Sequence, residues 1–374
     1  MNILIVFTYD YSLKTWYESQ VLNRELSIYE EINSINNFKF TLLTYGDETD
    51  LDIDIDNDIF EVIPIYKYFK YKKNKYLRFL YSFLIPFKLK DLVQNISLIK
   101  QHQILGIWVS VILKILLSNK PLFVRTGYDM HKFSLQDKKI LPIRFFYKVL
   151  NFTGVFFSNT YSVSNEEDFQ DLSNKFIKPS FLIKRPNWVL GNYINNFENR
   201  YDRKILFVGR LEYQKNIKEL LSNFSNTEFE IVIYGEGTLK KELELFAEKN
   251  NVNAIFKGNI SNDKLYEKYN DFKFFVSASL FEGNPKTVLE AMSCGCVVFA
   301  SDIPAHTELI KHLDTGLIYN SNKTSLIDAF RKIYKNNQEL LKISSNAVND
   351  INEKYGLEVS AKREINDYKR LIRF

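Results

Sequence analysis

Residues 279–298, SLFEGNPKTVLEAMSCGCVV, place two carboxylates, Glu282 and Glu290, around the start of one short apolar helix. The segment before it, FKFFVSA (272–278), is an uninterrupted apolar run and reads as a buried strand. After the break, Asn284 is a suitable N-cap, Pro285 fits the first helical position and Gly295 supplies the stop. Glu290 lies inside TVLEAM, flanked by Val288, Leu289, Ala291 and Met292. A buried, unpaired carboxylate costs several kcal/mol, so Glu290 requires a polar partner, for which a ligand hydroxyl is one candidate.

Strands alternate with helices on both sides of this junction, which predicts parallel sheets built from βαβ units. Strands are expected near 2–7, 38–44, 59–63, 97–101, 121–126 and 154–157, with helices near 16–32, 104–117, 136–150 and 165–175. The second series has strands near 204–208, 230–234, 254–257, 273–278 and 296–300. Its helices fall near 216–224, 238–249, 263–269, 286–294, 304–312 and 323–335. The expectation is an α/β chain of two doubly wound, Rossmann-like domains, 1–190 and 200–356, facing a cleft, with the polar stretch GNYINNFENRYDR (191–203) as linker. A length of 374 residues is enough for two separate cores.

The 45% hydrophobic and 25% charged composition is that of a globular protein. Cys294 and Cys296 have no second pair, so neither a disulfide framework nor a zinc site is supported; both read as core thiols in a reducing compartment. MNILIVF reads as a first strand and not as a signal peptide. The longest apolar run, ILGIWVSVILKILL (104–117), is too short to span a bilayer and is interrupted by Lys114, so no transmembrane helix is expected.

Further motifs follow in order: FVGRLEYQKN (207–216), IYGEG (233–237), FKGNIS (256–261) and IPAHTELI (303–310) with Gly316 beyond. Together with the Glu282-x7-Glu290 spacing, Gly283 and AMSCG, this series resembles the donor site of retaining glycosyltransferases of the GT-B fold, family 4, the group 1 glycosyl transferases. The resemblance assigns Arg210 and Lys215 to the donor pyrophosphate, Glu290 to the ribose hydroxyls and Glu282 to the donor sugar, with Glu282, Arg210 and Lys215 as the catalytic set. It places Gly235 along the donor pocket and Gly258 to Ile260 against the base. The turn through Gly283, Asn284, Lys286 and Thr287 would add backbone N–H groups. Glu308 matches a frequent acid of the family and is equally readable as a solvated carboxylate near a helix start. The segment 357–374, helical in pattern, is implied to cross back onto the first domain.

The residues carry a physical argument of their own. Departure of a nucleotide leaving group concentrates negative charge on its pyrophosphate, which calls for fixed cations or helix N-termini. Arg210 and Lys215 lie between the strand KILFV (204–208) and a helix with Ile217, Leu220, Leu221 and Phe224 at i, i+3, i+4, i+7. Both therefore emerge at the carboxyl end of a parallel strand, where open α/β sheets bind ligands. In IYGEG the third glycine of a dinucleotide fingerprint is missing, which argues against NAD.

The first half departs from the family pattern. The loop after the first strand, FTYDYSLKTWYES (7–19), has no glycine, and VRTGYDMH (124–131) has Thr126 before Gly127 where many relatives carry a His; His131 is out of register. Trp16, Arg125 and Asp129 are candidates for the acceptor side. LDIDIDND (51–58) reads as solvated, so no metal is expected, and no cofactor beyond the nucleotide-sugar substrate.

Residues 65–90, IYKYFKYKKNKYLRFLYSFLIPFKLK, hold eight Lys or Arg, no acid and many aromatics. This composition suits an anionic membrane surface, with a soluble basic loop as the alternative. Nucleic acid is not expected, because no recognition motif accompanies the stretch. The net charge of +5 agrees with an anionic partner.

The resemblance implies a retaining, metal-independent glycosyltransferase. It would move a sugar from a UDP- or GDP-sugar to a glycan or lipid-linked glycan in surface polysaccharide assembly, such as lipopolysaccharide or capsule. Its place would be the cytoplasm, peripheral on the inner face of the plasma membrane. Two other classes are kept: a GT-B sugar-nucleotide epimerase, which needs no acceptor, and a non-catalytic nucleotide- or glycan-binding scaffold, which leaves the donor intact.

Overall fold

The computed structural model describes residues 1–175, 182–191, 193–194, 196–320 and 322–372. Residues 192 and 195 of the expected linker and 373–374 of the expected last helix lie outside that set. The chain divides into two compact units, Met1–Pro186 with Ser360–Phe374, and Asn187–Val359.

The first unit is built on seven strands: β1 (Asn2–Val6), β2 (Lys39–Thr44), β3 (Phe60–Pro64), β4 (Leu98–His102), β5 (Leu122–Arg125), β6 (Thr160–Val163) and β7 (Leu182–Lys184). They pair in the order β3-β2-β1-β4-β5-β6-β7, every pair parallel. β1 is the switch point, with Ile3 opposite Phe40 on one side and Leu98 on the other. Ile3, Leu4, Ile5 and Val6 are all fully buried, as expected of a strand covered on both faces.

The second unit repeats the plan with β8 (Tyr201–Val208), β9 (Glu230–Tyr234), β10 (Ala254–Gly258), β11 (Phe272–Ser277), β12 (Val297–Ser301) and β13 (Leu317–Tyr319), ordered β10-β9-β8-β11-β12-β13. All pairs are parallel, and Ile205 of β8 lies opposite Ile231 of β9 and Phe274 of β11. The loops after β8 and β11 thus leave neighbouring strands at the same edge.

Several expectations need correction. The helix expected at 136–150 and the strand expected at 154–157 are replaced by helices Met130–Gln136 and Leu141–Phe157, and the strand follows at β6. Gly154 serves close packing inside the second helix: a Cβ there would stand 2.5 Å from Ile104 Cδ1. The helix expected at 16–32 is two, Leu13–Glu18 and Leu22–Asn36, with Gln20 between them at φ 57°. The one expected at 304–312 ends at Thr307. Strands β7 and β13 and the helix Asn337–Tyr355 were not anticipated.

The stretch 191–203 belongs to the second unit, where Phe197 and Arg200 are buried. The Arg200 guanidinium donates to the Cys294 carbonyl at 2.8 Å and the Ile194 carbonyl at 3.0 Å, so a polar-looking segment is held inside by satisfied hydrogen bonds. Cys294 and Cys296 are free and buried, and burial pushes both thiols up, Cys296 to about 12.

The last helix, Leu357–Ile372, delivers most of its length to the first unit. Glu364 pairs with Lys100 of β4 and lies 3.9 Å from Arg125, while Asp367 receives both arms of Arg185 at 2.7 Å. Burial drives the Lys100 ammonium down to about 8 despite its partner. Burial opposes the Glu364 charge as well, yet Lys100 and Arg125 hold its pKa below the usual range.

Among the described residues no helix is long and apolar enough to cross a membrane.

Candidate functional site

In the second unit, Lys215 Nζ stands 2.5 Å from Glu282 Oε1. Ser279 Oγ donates to the same oxygen at 2.7 Å, and Gln214 Nε2 donates to Oε2 at 3.1 Å and to the Phe281 carbonyl at 2.8 Å. A backbone bond from Leu280 N–H to the Gln214 carbonyl, 2.9 Å, completes a stitch between the loops after β8 and β11. The Glu282 carboxylate is therefore fixed by three side chains. Arg210, earlier in the same loop, is exposed, and its charge acts on the Glu212 carboxylate.

The backbone draws three strand ends together. Gly235, at φ 140°, would place a Cβ 1.9 Å from the Gly209 carbonyl oxygen, so only glycine fits; its N–H donates to the Gly258 carbonyl at 2.8 Å. Ile260 is half-buried and packs on the apolar cluster containing Leu265 and Tyr266.

The helix after β11 runs Lys286–Ser293 and its N-cap is Pro285, one position later than expected. Asn284 does not cap it. Its Oδ1 accepts from the Asn187 N–H and its carbonyl from Asn187 Nδ2, both at 2.8 Å, so this side chain ties the turn to the start of the unit. Gly283 is buried, Lys286 Nζ sits 4.7 Å over the Trp188 ring, and Thr287 is half-buried. The N–H groups of Lys286 and Thr287 open the helix with no intrahelical acceptor.

Glu290 is 1% exposed, and its Oε2 accepts from the Tyr269 hydroxyl at 3.1 Å. The polar partner that the sequence demanded is thus supplied at least in part by the protein itself. Glu308 is half-buried beyond the short helix Pro304–Thr307.

His306 was not singled out from sequence. It is fully buried; Nδ1 lies 2.8 Å from the Ser301 carbonyl and Nε2 3.0 Å from Ser277 Oγ. Burial lowers its pKa to about 4, so the ring is neutral, with Nδ1 donating to the carbonyl and Nε2 accepting. Ser301 Oγ donates in turn to the Ser279 carbonyl at 2.6 Å, one residue link from Glu282. Gln214, Ser279 and His306 were missed because each is brought in from a different strand end, and Tyr269 because it comes from the helix Asn262–Asp271; no local spacing reveals either.

In the first unit the three acceptor-side candidates lie at or beyond the ends of β1 and β5, and His102 is opposite Arg125 in register and 5.3 Å, ring to ring, from Trp16. Trp16 is buried and stacks on Phe7 at 4.2 Å. Arg125 is buried near Glu364. Asp129 caps the helix Met130–Gln136 by accepting from Lys132 N–H at 3.0 Å, and also accepts from Asn151 Nδ2 at 2.7 Å. A cavity of about 230 Å³ opens beside the segments that follow β1, β2 and β3, lined among others by Ser12, Lys14, Tyr45, Asp47, Tyr66 and Tyr71. The 51–58 stretch is largely exposed, and among the described residues no group of three or more His, Cys, Asp or Glu is arranged to hold a metal.

Two parallel-sheet α/β units of this kind define the GT-B fold. HepE of Anabaena, solved with UDP, superposes with a TM-score of 0.76 over 99% of this chain and 100% of its own, at 13% identity. Residues 194–350 match the family model described as glycosyl transferases group 1. An O-antigen biosynthesis glycosyltransferase of Escherichia coli, WbnH, is 27% identical over 68% of this chain and 72% of its own length. The N-acetylgalactosamine-N,N'-diacetylbacillosaminyl-diphospho-undecaprenol 4-alpha-N-acetylgalactosaminyltransferase of Campylobacter jejuni is 33% identical over 36% of this chain and 40% of its own. The matched segment spans less than half the length of that protein and of two archaeal relatives.

Proposed function

We propose that this chain is a retaining glycosyltransferase of family 4 that moves a sugar from a UDP- or GDP-sugar to a lipid-linked glycan during surface polysaccharide assembly. The observation that carries the reading is the Glu282 carboxylate, held at a parallel strand end by Lys215, Ser279 and Gln214 within the family-matching region. Arg210, exposed in the loop that also carries Lys215, supplies a further cation for the diphosphate. In the proposed reaction the bond between the anomeric carbon and the donor phosphate oxygen breaks. An acceptor hydroxyl oxygen bonds to that carbon on the same face, and its proton passes to the departing phosphate. Neither a protein nucleophile nor a metal takes part, so transfer should persist in EDTA.

The lipid-linked acceptor is supported by the names of the O-antigen and undecaprenol relatives. The aromatic and polar lining of the first-unit cavity suits a saccharide, and the basic, aromatic stretch 65–90 suits an anionic membrane surface on the cytoplasmic side. The test is thermal stabilisation by UDP, GDP, ADP and CMP, followed by incubation of the matching labelled nucleotide-sugars with and without a lipid diphosphate-linked saccharide. Labelled product only with acceptor supports the proposal. Conversion without acceptor points to an epimerase, and an intact donor to a scaffold.

A further inference from the structure

The helix Leu141–Phe157 presents an apolar stripe outward. Leu141, Phe145, Val149, Phe152 and Phe156 follow at intervals of 4, 4, 3 and 4 residues and share one face; Leu141 is 76% exposed and Phe145 and Phe156 each 69%. Single exposed apolar residues are ordinary, but a five-residue stripe along one helix marks an interaction surface. From 138 to 157 there is no acidic residue, and Lys138, Lys139, Arg144 and Lys148 flank the stripe.

This helix neighbours the basic stretch. The Phe79 and Phe146 rings meet edge to face at 5.9 Å, and Phe79 belongs to the helix Lys75–Ser82, which exposes Tyr76, Leu77 and Leu80. Two acid-free, cation-bearing, apolar segments are therefore adjacent in one unit, although about 60 residues apart in the chain, which is why only the first was readable from sequence.

We propose that the helix Leu141–Phe157 is a bilayer-docking element. Its stripe enters the boundary between headgroups and acyl chains, while the flanking cations meet anionic lipid phosphates. The proposal rests on the reading of residues 65–90 as lipid-facing and adds to it a second element that supplies the apolar insertion. Charge decides the occupant. A second copy of this chain facing the same patch would set cations against cations, whereas an anionic bilayer offers negative charge above an apolar layer.

The test is cosedimentation of the full chain with vesicles of phosphatidylcholine, with and without phosphatidylglycerol. Wild type should pellet with the anionic vesicles, and a variant carrying Phe145→Ser, Phe152→Ser and Phe156→Ser should bind about tenfold more weakly or worse, since the apolar face supplies much of such binding. A variant with Lys70→Glu, Lys73→Glu and Lys75→Glu tests the basic stretch separately. If the serine variant binds like wild type while the glutamate variant does not, the helix proposal is overturned and the earlier reading stands. If wild type binds neither vesicle, both fall. A wild-type dimer in solution that the serine variant dissociates, without vesicle binding, also overturns the proposal by making the stripe an interface between copies. Against loss of fold, Phe156→Trp keeps the stripe intact: its emission should be quenched by brominated acyl chains beyond the wild-type background, and absence of that extra quenching overturns the proposal. Nucleotide-induced stabilisation should survive in every variant, so the transferase reading is scored independently.

Discussion

Lys215 Nζ and Glu282 Oε1 stand 2.5 Å apart although 67 residues separate them in the chain. The pair closes the gap between two loops leaving adjacent strands. It also determines what each residue has to offer: Lys215 orients a carboxylate and spends part of its charge doing so, whereas Arg210 keeps its side chain exposed to solvent. The family assignment treats these two cations alike, and the geometry separates them.

Lys215→Met and Glu282→Gln should each lower kcat about 10²- to 10³-fold, the loss typical of removing one fixed charge beside a reacting group. Because the two act as a unit, the double variant should lose little more than either single one. Steady-state rates with the donor selected by the nucleotide survey check this; multiplicative losses would mean that the ion pair is not the working unit.

Arg210→Ala should weaken nucleotide diphosphate binding by roughly 10- to 100-fold, the equivalent of a charge-assisted hydrogen bond, with no change in Tm because the side chain is exposed. Arg210→Lys should recover only part of the affinity, since the bidentate fork is lost. Calorimetric titration with the diphosphate distinguishes these outcomes.

Glu290 has a protein partner in addition to its proposed role with the donor ribose. Since Tyr269 donates to its buried carboxylate, Glu290→Ala should cost about 1–3 kcal/mol of folding stability in addition to any loss of nucleotide affinity. Tyr269→Phe should reproduce part of the stability loss alone. Urea unfolding with and without nucleotide separates the two effects, and an unchanged unfolding midpoint in Glu290→Ala would refute the structural part.

His306 should make the second unit acid-sensitive. Its pKa falls from the ordinary 6.5 to about 4 on folding, so between those values the unfolded chain binds a proton that the native ring refuses. Stability is therefore lost as pH falls from about 6.5 toward 4, by roughly 3 kcal/mol at most. In His306→Gln the Tm should fall less over that window; parallel curves for the two proteins would show that the ring does not control it.

Glu364→Ala leaves Lys100 buried and unpaired and should destabilise the first unit by about 3–5 kcal/mol. Adding Lys100→Met should restore most of this, because an apolar side chain of similar length removes the stranded charge. Unfolding monitored by a probe in the first unit reads both.

Much of the fold was legible because buried parallel strands are nearly continuous apolar runs. KILFV and FKFFVSA could be placed to within a few residues for that reason, whereas the three-residue strands Leu182–Lys184 and Leu317–Tyr319 are too short to show a pattern. Helix limits failed where one residue has two uses. Asn284 reads as a cap and serves as a tether to Asn187, while Gly154, placed in an expected strand, is a packing surface inside a helix. Within the candidate site, Glu282, Lys215 and Glu290 stand out because charge interrupts an apolar or loop pattern. Ser279, Gln214 and His306 do not, since a serine, a glutamine or a lone histidine is unremarkable until the sheet brings three strand ends together.

The pairing of Lys100 with Glu364 also sets an order of events at the ribosome. The acid that compensates the buried ammonium is encoded 264 residues later, which at ordinary elongation rates is a delay of roughly 15 to 50 s. Through that interval Lys100 lacks the carboxylate with which it pairs in the finished unit. The second unit can mature while the first waits for the final turns of chain to arrive. A stop codon shortly before the last helix would thus remove few residues and yet strand the domain made first.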